Sequence, residues 1–393
     1  MSPLHRLWRR LPHRVRREAL FSATALLAPR PDHPAPTGKG SLVVAGYLGA
    51  STGLGTAARR LVSGLRAAGF DPGEIDLTGP LRQGPAGPPP RMPSGPGTLV
   101  VQVNGPMLPW ALLALGRRAL RDKRVIAVWN WELPILPGDW DRGFSACHVI
   151  WTPSRFTAAA CSRAGGPPVL ICPNHVPAPD PSPLGRDAFG LPSDAFVSLC
   201  LFDATSSLSR KNPLGAISAH RLAFGDRRDR ILLLKTHDTA LAGPAWRAVA
   251  QAAATASNVR VLDAAMPRRD LWALMAASDA VLSLHRAEGF GYVIAEAMVL
   301  GRPVVATGWS GNMDFMHGPG THAVPYVLVP AHDPQDTYAV AGAYWAEPDL
   351  AAAATMLVRL SDQPELTPPT HFPLPDYAGL LGIAPSGSIP PSR

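Results

Sequence analysis

Short apolar, β-branched runs alternate with stretches of helical length along most of this 393-residue chain, and that rhythm narrows its folds more than any other feature. In the first half SLVVAGYL (41–48), TLVVQVN (98–104), RVIAVWNWE (124–132), HVIWTPS and PPVLICPN read as strands. In the second half AFVSLCLFD (195–203), RILLLKTHD (230–238), NVRVLDA, AVLSLH and RPVVAT do the same. Runs this uniformly apolar are buried on both faces, and the helical segments between them supply the crossovers that parallel pairing needs. The expected class is α/β, with doubly wound parallel sheets.

One proline-rich stretch, PNHVPAPDPSPLGRDAFGLP (173–192), interrupts the rhythm. The chain is also too long for a single ordinary core. Two Rossmann-like domains are therefore expected, facing each other across a cleft between the C-terminal ends of their strands, where such sheets take ligands. The boundaries read as a basic arm at 1–38, a first domain at 39–176, a linker at 177–193 and a second domain at 194–345. A terminal helix at 346–363 is expected to cross back to the first domain, followed by a Pro-rich tail at 364–393.

Six of the eight net positive charges fall in residues 1–30, which hold seven arginines and one glutamate. The body is nearly neutral, unlike a nucleic-acid-binding face. In the arm, Leu4, Leu7, Trp8, Leu11 and Val15 recur at helical spacing between arginines, with Pro12 as a break. Such a stripe suits either an anionic membrane interface or a solvated basic arm. The apolar stretch after Arg17 is interrupted too early for a signal peptide, and no run reaches transmembrane length. Cys147, Cys161, Cys172 and Cys200 show no C-x-x-C spacing, which argues against a zinc site or disulfide framework and fits a reducing compartment.

Chemistry concentrates in HRAEGFGYVIAEAM (285–298). A strand leads to Glu288, then Gly289, Phe290 and Gly291 launch a helix that carries Glu296 among apolar neighbours. The glycines let a ligand approach the backbone, and the helix start favours an anion. A helix cap at Glu288 and a buried ion pair at Glu296 are the plain alternatives. Arg210 and Lys211 sit in a loop after the strand 195–203, placed to hold a diphosphate, and Lys235 ends another strand. Gly311 and Asn312 lie in the loop after RPVVAT, and His285 precedes the acidic pair. In the first half GYLGASTGLGTAARR puts Gly53, Leu54 and Gly55 in a strand-to-helix turn whose spacing is not that of a dinucleotide site. VWNWELP brings Trp131 and Glu132 to a strand exit, suited to a sugar or to plain packing. The DWD at 139–141 lies in a loop and reads as chance, so no metal is expected.

The stretch Glu288-Gly-Phe-Gly-Tyr-Val-Ile-Ala-Glu296, continued by AMVLGRPVVAT, resembles the E-x7-E motif of retaining GT-B glycosyltransferases of the group 1, family 4 type. That resemblance implies that Glu288 touches the transferred sugar and Glu296 the nucleotide ribose, with the amides near Phe290 and Gly291 on sugar or phosphate. Lys211 matches the family's loop lysine, whereas the usual upstream arginine is missing, with Ser206 near its place and Arg210 the available substitute. The glycine turn at 53–55 resembles the family's first loop, on the phosphate or acceptor side. The implied activity is transfer of a hexose, mannose or glucose, from a nucleotide sugar to a glycan or lipid-linked glycan acceptor in bacterial cell-surface polysaccharide synthesis. A GDP- or UDP-hexose is the co-substrate, with no bound cofactor and no nucleic-acid partner, at a cytoplasmic location or on the inner face of the cytoplasmic membrane. A GT-B epimerase or phosphorylase, or a non-catalytic nucleotide-sugar-binding protein at a membrane, are the alternatives.

Overall fold

The computed structural model describes residues 13–85, 91–364 and 367–384. The chain forms two compact units. One comprises Met1–Trp131, Leu136–His175 and Leu374–Arg393; the other comprises Glu132–Ile135 and Val176–Pro373.

In the first unit, helix α1 (His13–Leu27) precedes β1 (Ser41–Gly46), α2 (Gly53–Ala67), β2 (Gly73–Asp76), β3 (Gly97–Gln102), α3 (Leu108–Leu115), β4 (Lys123–Val128), β5 (Val149–Thr152), α4 (Arg155–Cys161) and β6 (Val169–Ile171). The six strands form one parallel sheet in the order β2-β1-β3-β4-β5-β6. Val44, Val100, Ile126 and Trp151 pack one face against Leu61 and Leu65 of α2. The chain runs from β1 to β2 on one side, then crosses to β3 on the other. The loops after β1 and β3 therefore flank a switch point, the place where an open parallel sheet leaves a crevice.

The second unit repeats the scheme. Its elements are β7 (Phe196–Leu201), α5 (Leu208–Lys211), α6 (Pro213–Phe224), β8 (Arg230–Thr236), α7 (Pro244–Ala254), β9 (Val259–Asp263), α8 (Arg268–Ala277), β10 (Ala280–Ser283), α9 (Tyr292–Val299), β11 (Val304–Thr307) and β12 (Thr321–Val324). A hairpin of β13 (Tyr326–Pro330) and β14 (Tyr344–Pro348) leads to α10 (Leu350–Asp362). The sheet is parallel throughout, in the order β12-β11-β10-β7-β8-β9, with apolar cores on both faces. Here the switch point lies between β7 and β10. Two doubly wound parallel sheets of this kind are the Rossmann-like pair of the GT-B fold.

Three segments differ from the expectation drawn from sequence. The basic arm packs on the first unit instead of being solvated throughout: α1 buries Phe21 and Thr24, and Arg142 forks onto Glu18 and onto Ser22 Oγ at 3.1 Å. Leu4, Leu7, Trp8, Leu11 and Pro12 of the proposed membrane stripe lie outside the described residues, and Val15 is exposed. Helix α10 packs beside α6 in the second unit, because Ala353, Leu357 and Leu360 fill that unit's core. The segment assigned to the first unit is instead the helix α11 (Tyr377–Leu381), inside the Pro-rich tail. Its i and i+4 side chains, Tyr377 and Leu381, are buried there, and Arg124 Nη1 donates to the Leu381 carbonyl at 3.1 Å. Among the described residues no helix is long and apolar enough to cross a membrane.

Leu381→Ala should cost about 2–5 kcal/mol, as for other fully buried leucines. A fall in the urea midpoint of the first unit's transition checks this; an unchanged midpoint would show that α11 is not part of its core.

Candidate functional site

Parallel strands send all their exits to one edge, so the loops after β7, β10 and β11, three neighbours in the sheet, come together there. Each loop is held in an uncommon backbone shape. Asn212 (φ 54°) caps α6 through Gly215 N–H at 3.1 Å and donates to the Leu284 carbonyl at 2.9 Å. Gly291 (φ 97°) opens α9, and Ser310 (φ 79°) turns the chain after β11. A Cβ on Gly311 would stand 2.1 Å from the Gly289 carbonyl oxygen, so only glycine allows the last two loops to touch. Ser310 Oγ accepts the Glu288 N–H at 2.8 Å, and Gly311 N–H donates to the Glu288 carbonyl at 2.9 Å.

Glu288 is the centre of this edge. Its carboxylate accepts from Lys211 Nζ, and Arg210 Nη1 lies 3.2 Å from the same oxygen. Burial pushes the Glu288 carboxyl up, but Lys211 and Arg210 hold it down to about 2. The carboxylate is thus ionised at any physiological pH. Arg210 is buried, donates to the Ala287 carbonyl at 2.8 Å and lies over the Tyr338 ring, its Cζ 5.2 Å from the centroid. Burial works against its charge, yet Tyr338, Glu288 and Glu132 outweigh that and leave the guanidinium more firmly protonated than usual. Tyr338 Oη donates to Glu132 Oε2 at 2.9 Å. Arg210 is thereby a brace for Glu288, whereas Lys211 keeps about a fifth of its side chain exposed.

Several residues named from sequence have side chains engaged by partners within the second unit. Lys235 is buried, with Nζ donating to the carbonyls of Thr236 at 2.8 Å and Ala264 at 2.5 Å, and burial lowers its pKa. Asn312 is fully buried: Nδ2 donates to the Thr307 carbonyl at 3.0 Å and Oδ1 lies 3.1 Å from His285 Nε2. Burial lowers the His285 pKa as well, so the ring is neutral and packs under the loop. Glu296 is buried and accepts from Arg268 Nη1 at 3.0 and 3.2 Å, the ion pair that its surroundings in the sequence had offered as one option. Phe290 packs on Tyr292 and Phe315.

In the first unit Gly53 and Leu54 open α2 at the switch point, and Thr52 Oγ accepts the Gly55 N–H at 3.2 Å. A Cβ on Gly55 would meet the Ala50 carbonyl at 2.2 Å. Trp131 is buried against Trp140, with ring centroids 5.3 Å apart. Asp141 of the DWD pairs with Arg163 at 2.7 Å, and the described residues contain no group of metal-binding side chains. All four cysteines are free and buried.

Sequence reasoning missed the shell behind Arg210. Asp333 accepts from Ser207 Oγ at 2.9 Å and from the Thr337 and Tyr338 amides at 3.0 and 3.1 Å, which fixes Tyr338 over the guanidinium. Arg286 adds a fork to Glu347 at 2.6 and 2.9 Å and a bond to the Ser209 carbonyl at 2.6 Å. Only the buried charge at Arg210 called for such partners; nothing local in 326–348 names them.

The two Rossmann-like units define the fold class. Residues 231–344, from β8 to the start of β14, match the model of a family described as Glycosyl transferases group 1, which supports a GT-B glycosyltransferase. No curated protein matches the sequence. Among solved structures, a TarM variant of S. aureus crystallised with fondaparinux, alpha-GlcNAc-glycerol and UDP is 10% identical, with 68% of this chain and 48% of that one covered at a TM-score of 0.48. The pneumococcal O-GlcNAc transferase GtfA with UDP and GlcNAc is 13% identical, with 69% and 51% covered and a TM-score of 0.44. A UDP-forming trehalose-phosphate synthase from Burkholderia xenovorans is 14% identical, with 69% and 66% covered and a TM-score of 0.49. The chain spans about half the length of the first two, and likenesses at these scores carry no chemistry to it.

Lys211→Ala should raise the Glu288 pKa from about 2 toward the ordinary carboxylate range, since it removes the nearest opposing charge. A depressed folded pKa gives stability that is present above the unfolded value and lost as pH falls through the folded one. The parent protein therefore loses this contribution progressively as pH falls from the ordinary carboxylate range to about 2, and the variant has a smaller contribution to lose. A carbon-13 NMR titration of the Glu288 carboxyl checks it; an unmoved midpoint would contradict the assignment.

Proposed function

We infer that the protein is a retaining glycosyltransferase that moves a hexose from a nucleotide sugar to a glycan or lipid-linked glycan acceptor. The observation that carries this reading is the Glu288–Lys211–Arg210 cluster at the β7/β10 switch point, whose Glu288 lies inside the region 231–344 that matches the group 1 family. Lys211 is assigned to the departing diphosphate, and the amides at Gly289 to Gly291, at the opening of α9, to sugar or phosphate. The C1–oxygen bond to the diphosphate breaks as the acceptor hydroxyl bonds to C1 on the same face, and the acceptor's proton passes to the leaving phosphate. Fixed cations and amides that meet the growing charge need not reorganise during the step.

Glu288 is assigned to the transferred sugar and Glu296 to the ribose diol. The fixed ionisation of Glu288 suits a hydrogen-bond acceptor and electrostatic partner rather than a proton shuttle. Lys235 and Asn312, turned inward, support the loops of this site instead of touching the donor. In the first unit Gly53 to Gly55 are assigned to phosphate or acceptor, and Trp131 to the frame beneath the acceptor loops. Mannose or glucose as the sugar, GDP or UDP as the carrier, a role in cell-surface polysaccharide synthesis and a place at the cytoplasmic face of a membrane complete the proposal.

The test is slow nucleotide release from a panel of GDP-, UDP- and ADP-hexoses. One donor should turn over, and Glu288→Gln should lower the rate by about 10²–10³-fold with nucleotide affinity kept. Undiminished turnover in that variant, or no turnover of any donor, would contradict the reading.

A further inference from the structure

The hairpin β13–β14 carries an exposed aromatic row. Directly paired residues share a face, so Tyr326 with Pro348, Leu328 with Ala346, and Pro330 with Tyr344 lie on one side of the ribbon. Trp309 seats itself over that side, its ring centroid 6.3 Å from Tyr326 and 6.4 Å from Tyr344, at interplanar angles of 50° and 44°. The indole thus bridges two tyrosines from opposite ends of the hairpin. Tyr326 is 38%, Tyr344 39% and Leu328 52% exposed. Trp309 is also the residue next to Ser310, whose hydroxyl holds the Glu288 amide.

We propose that Trp309, Tyr326 and Tyr344 form a stacking subsite for pyranose rings of the acceptor glycan, continuous with the Glu288 loop. Aromatic faces cover the apolar C–H faces of a pyranose, and the phenol and indole tips hydrogen-bond its hydroxyls. Charge selects this occupant over a lipid surface. Residues 326–348 contain no lysine or arginine, and of their acids Asp333 is buried and Glu347 is paired with Arg286, so the hairpin offers anionic headgroups no cation of its own, whereas its aromatic row suits a neutral polyhydroxyl chain. The proposal rests on the glycosyltransferase reading, because only there does a glycan next to Glu288 have a use.

The experiment titrates the full-length protein with maltohexaose, cellohexaose and mannohexaose by saturation-transfer NMR, with donor turnover by the unaltered protein measured alongside. At least one hexasaccharide should bind, and Tyr326→Ala with Tyr344→Ala should weaken it about tenfold. Tyr326→Phe with Tyr344→Phe should keep most of the affinity, and Val261→Ser, at an exposed apolar site on β9, should change nothing. Donor turnover with no hexasaccharide bound, or equal affinity in the double alanine variant, overturns the subsite and leaves the activity standing. Binding to phosphatidylglycerol vesicles that the double alanine variant loses, without hexasaccharide binding, overturns it in favour of a lipid surface. Absence of donor turnover removes the activity itself, and the subsite with it.

Discussion

A buried carboxylate answered by two cations organises the second unit. Glu288 leaves β10, and Arg210 and Lys211 leave β7; the two strands are neighbours only because the chain reverses its direction of winding between them. Desolvation alone would neutralise Glu288, and an unpaired buried charge costs several kcal/mol. The pairing holds the carboxylate ionised, and its geometry fixes the loops 202–212 and 284–291 against each other.

The two cations divide the work. Arg210 is sealed between the Ala287 carbonyl, Glu288 and the Tyr338 ring, and Tyr338 is held by Asp333 and Glu132. A planar guanidinium suits this enclosed place, where three directional partners must be met at once. Lys211, a compact charge on a flexible stem and partly exposed, suits a partner that comes and goes. The chain lacks the upstream arginine expected from the family resemblance, and its own Arg210 is engaged by the Ala287 carbonyl, Glu288 and the Tyr338 ring. Gly311, packed on the Gly289 carbonyl, ties the third loop to the same frame.

Much of this architecture was legible in the sequence. Alternation of apolar strands with helices gave the parallel sheets, and the glycine pair between two glutamates gave the loop at the strand exit. Direction of side chains was less legible. A strand-end lysine can point to ligand or to carbonyls, and Lys235 took the carbonyls of Thr236 and Ala264. Asn312 turned to His285 and Thr307 for the same reason, since a buried amide must find partners where it lies. Contacts across more than a hundred residues, such as Ser207 with Asp333 and Glu132 with Tyr338, depend on topology that no local pattern encodes. Helix α11 escaped because two buried side chains in a proline-rich stretch give too little periodicity to read.

The central claim is that Lys211 exchanges Glu288 for the diphosphate of a nucleotide sugar. A crystal structure with the intact donor bound tests it most directly. The account predicts a diphosphate oxygen within hydrogen-bond distance of Lys211 Nζ and the sugar ring beside Glu288, with Arg210 still on the Ala287 carbonyl. A donor bound elsewhere, with the Lys211–Glu288 pair intact, would contradict it.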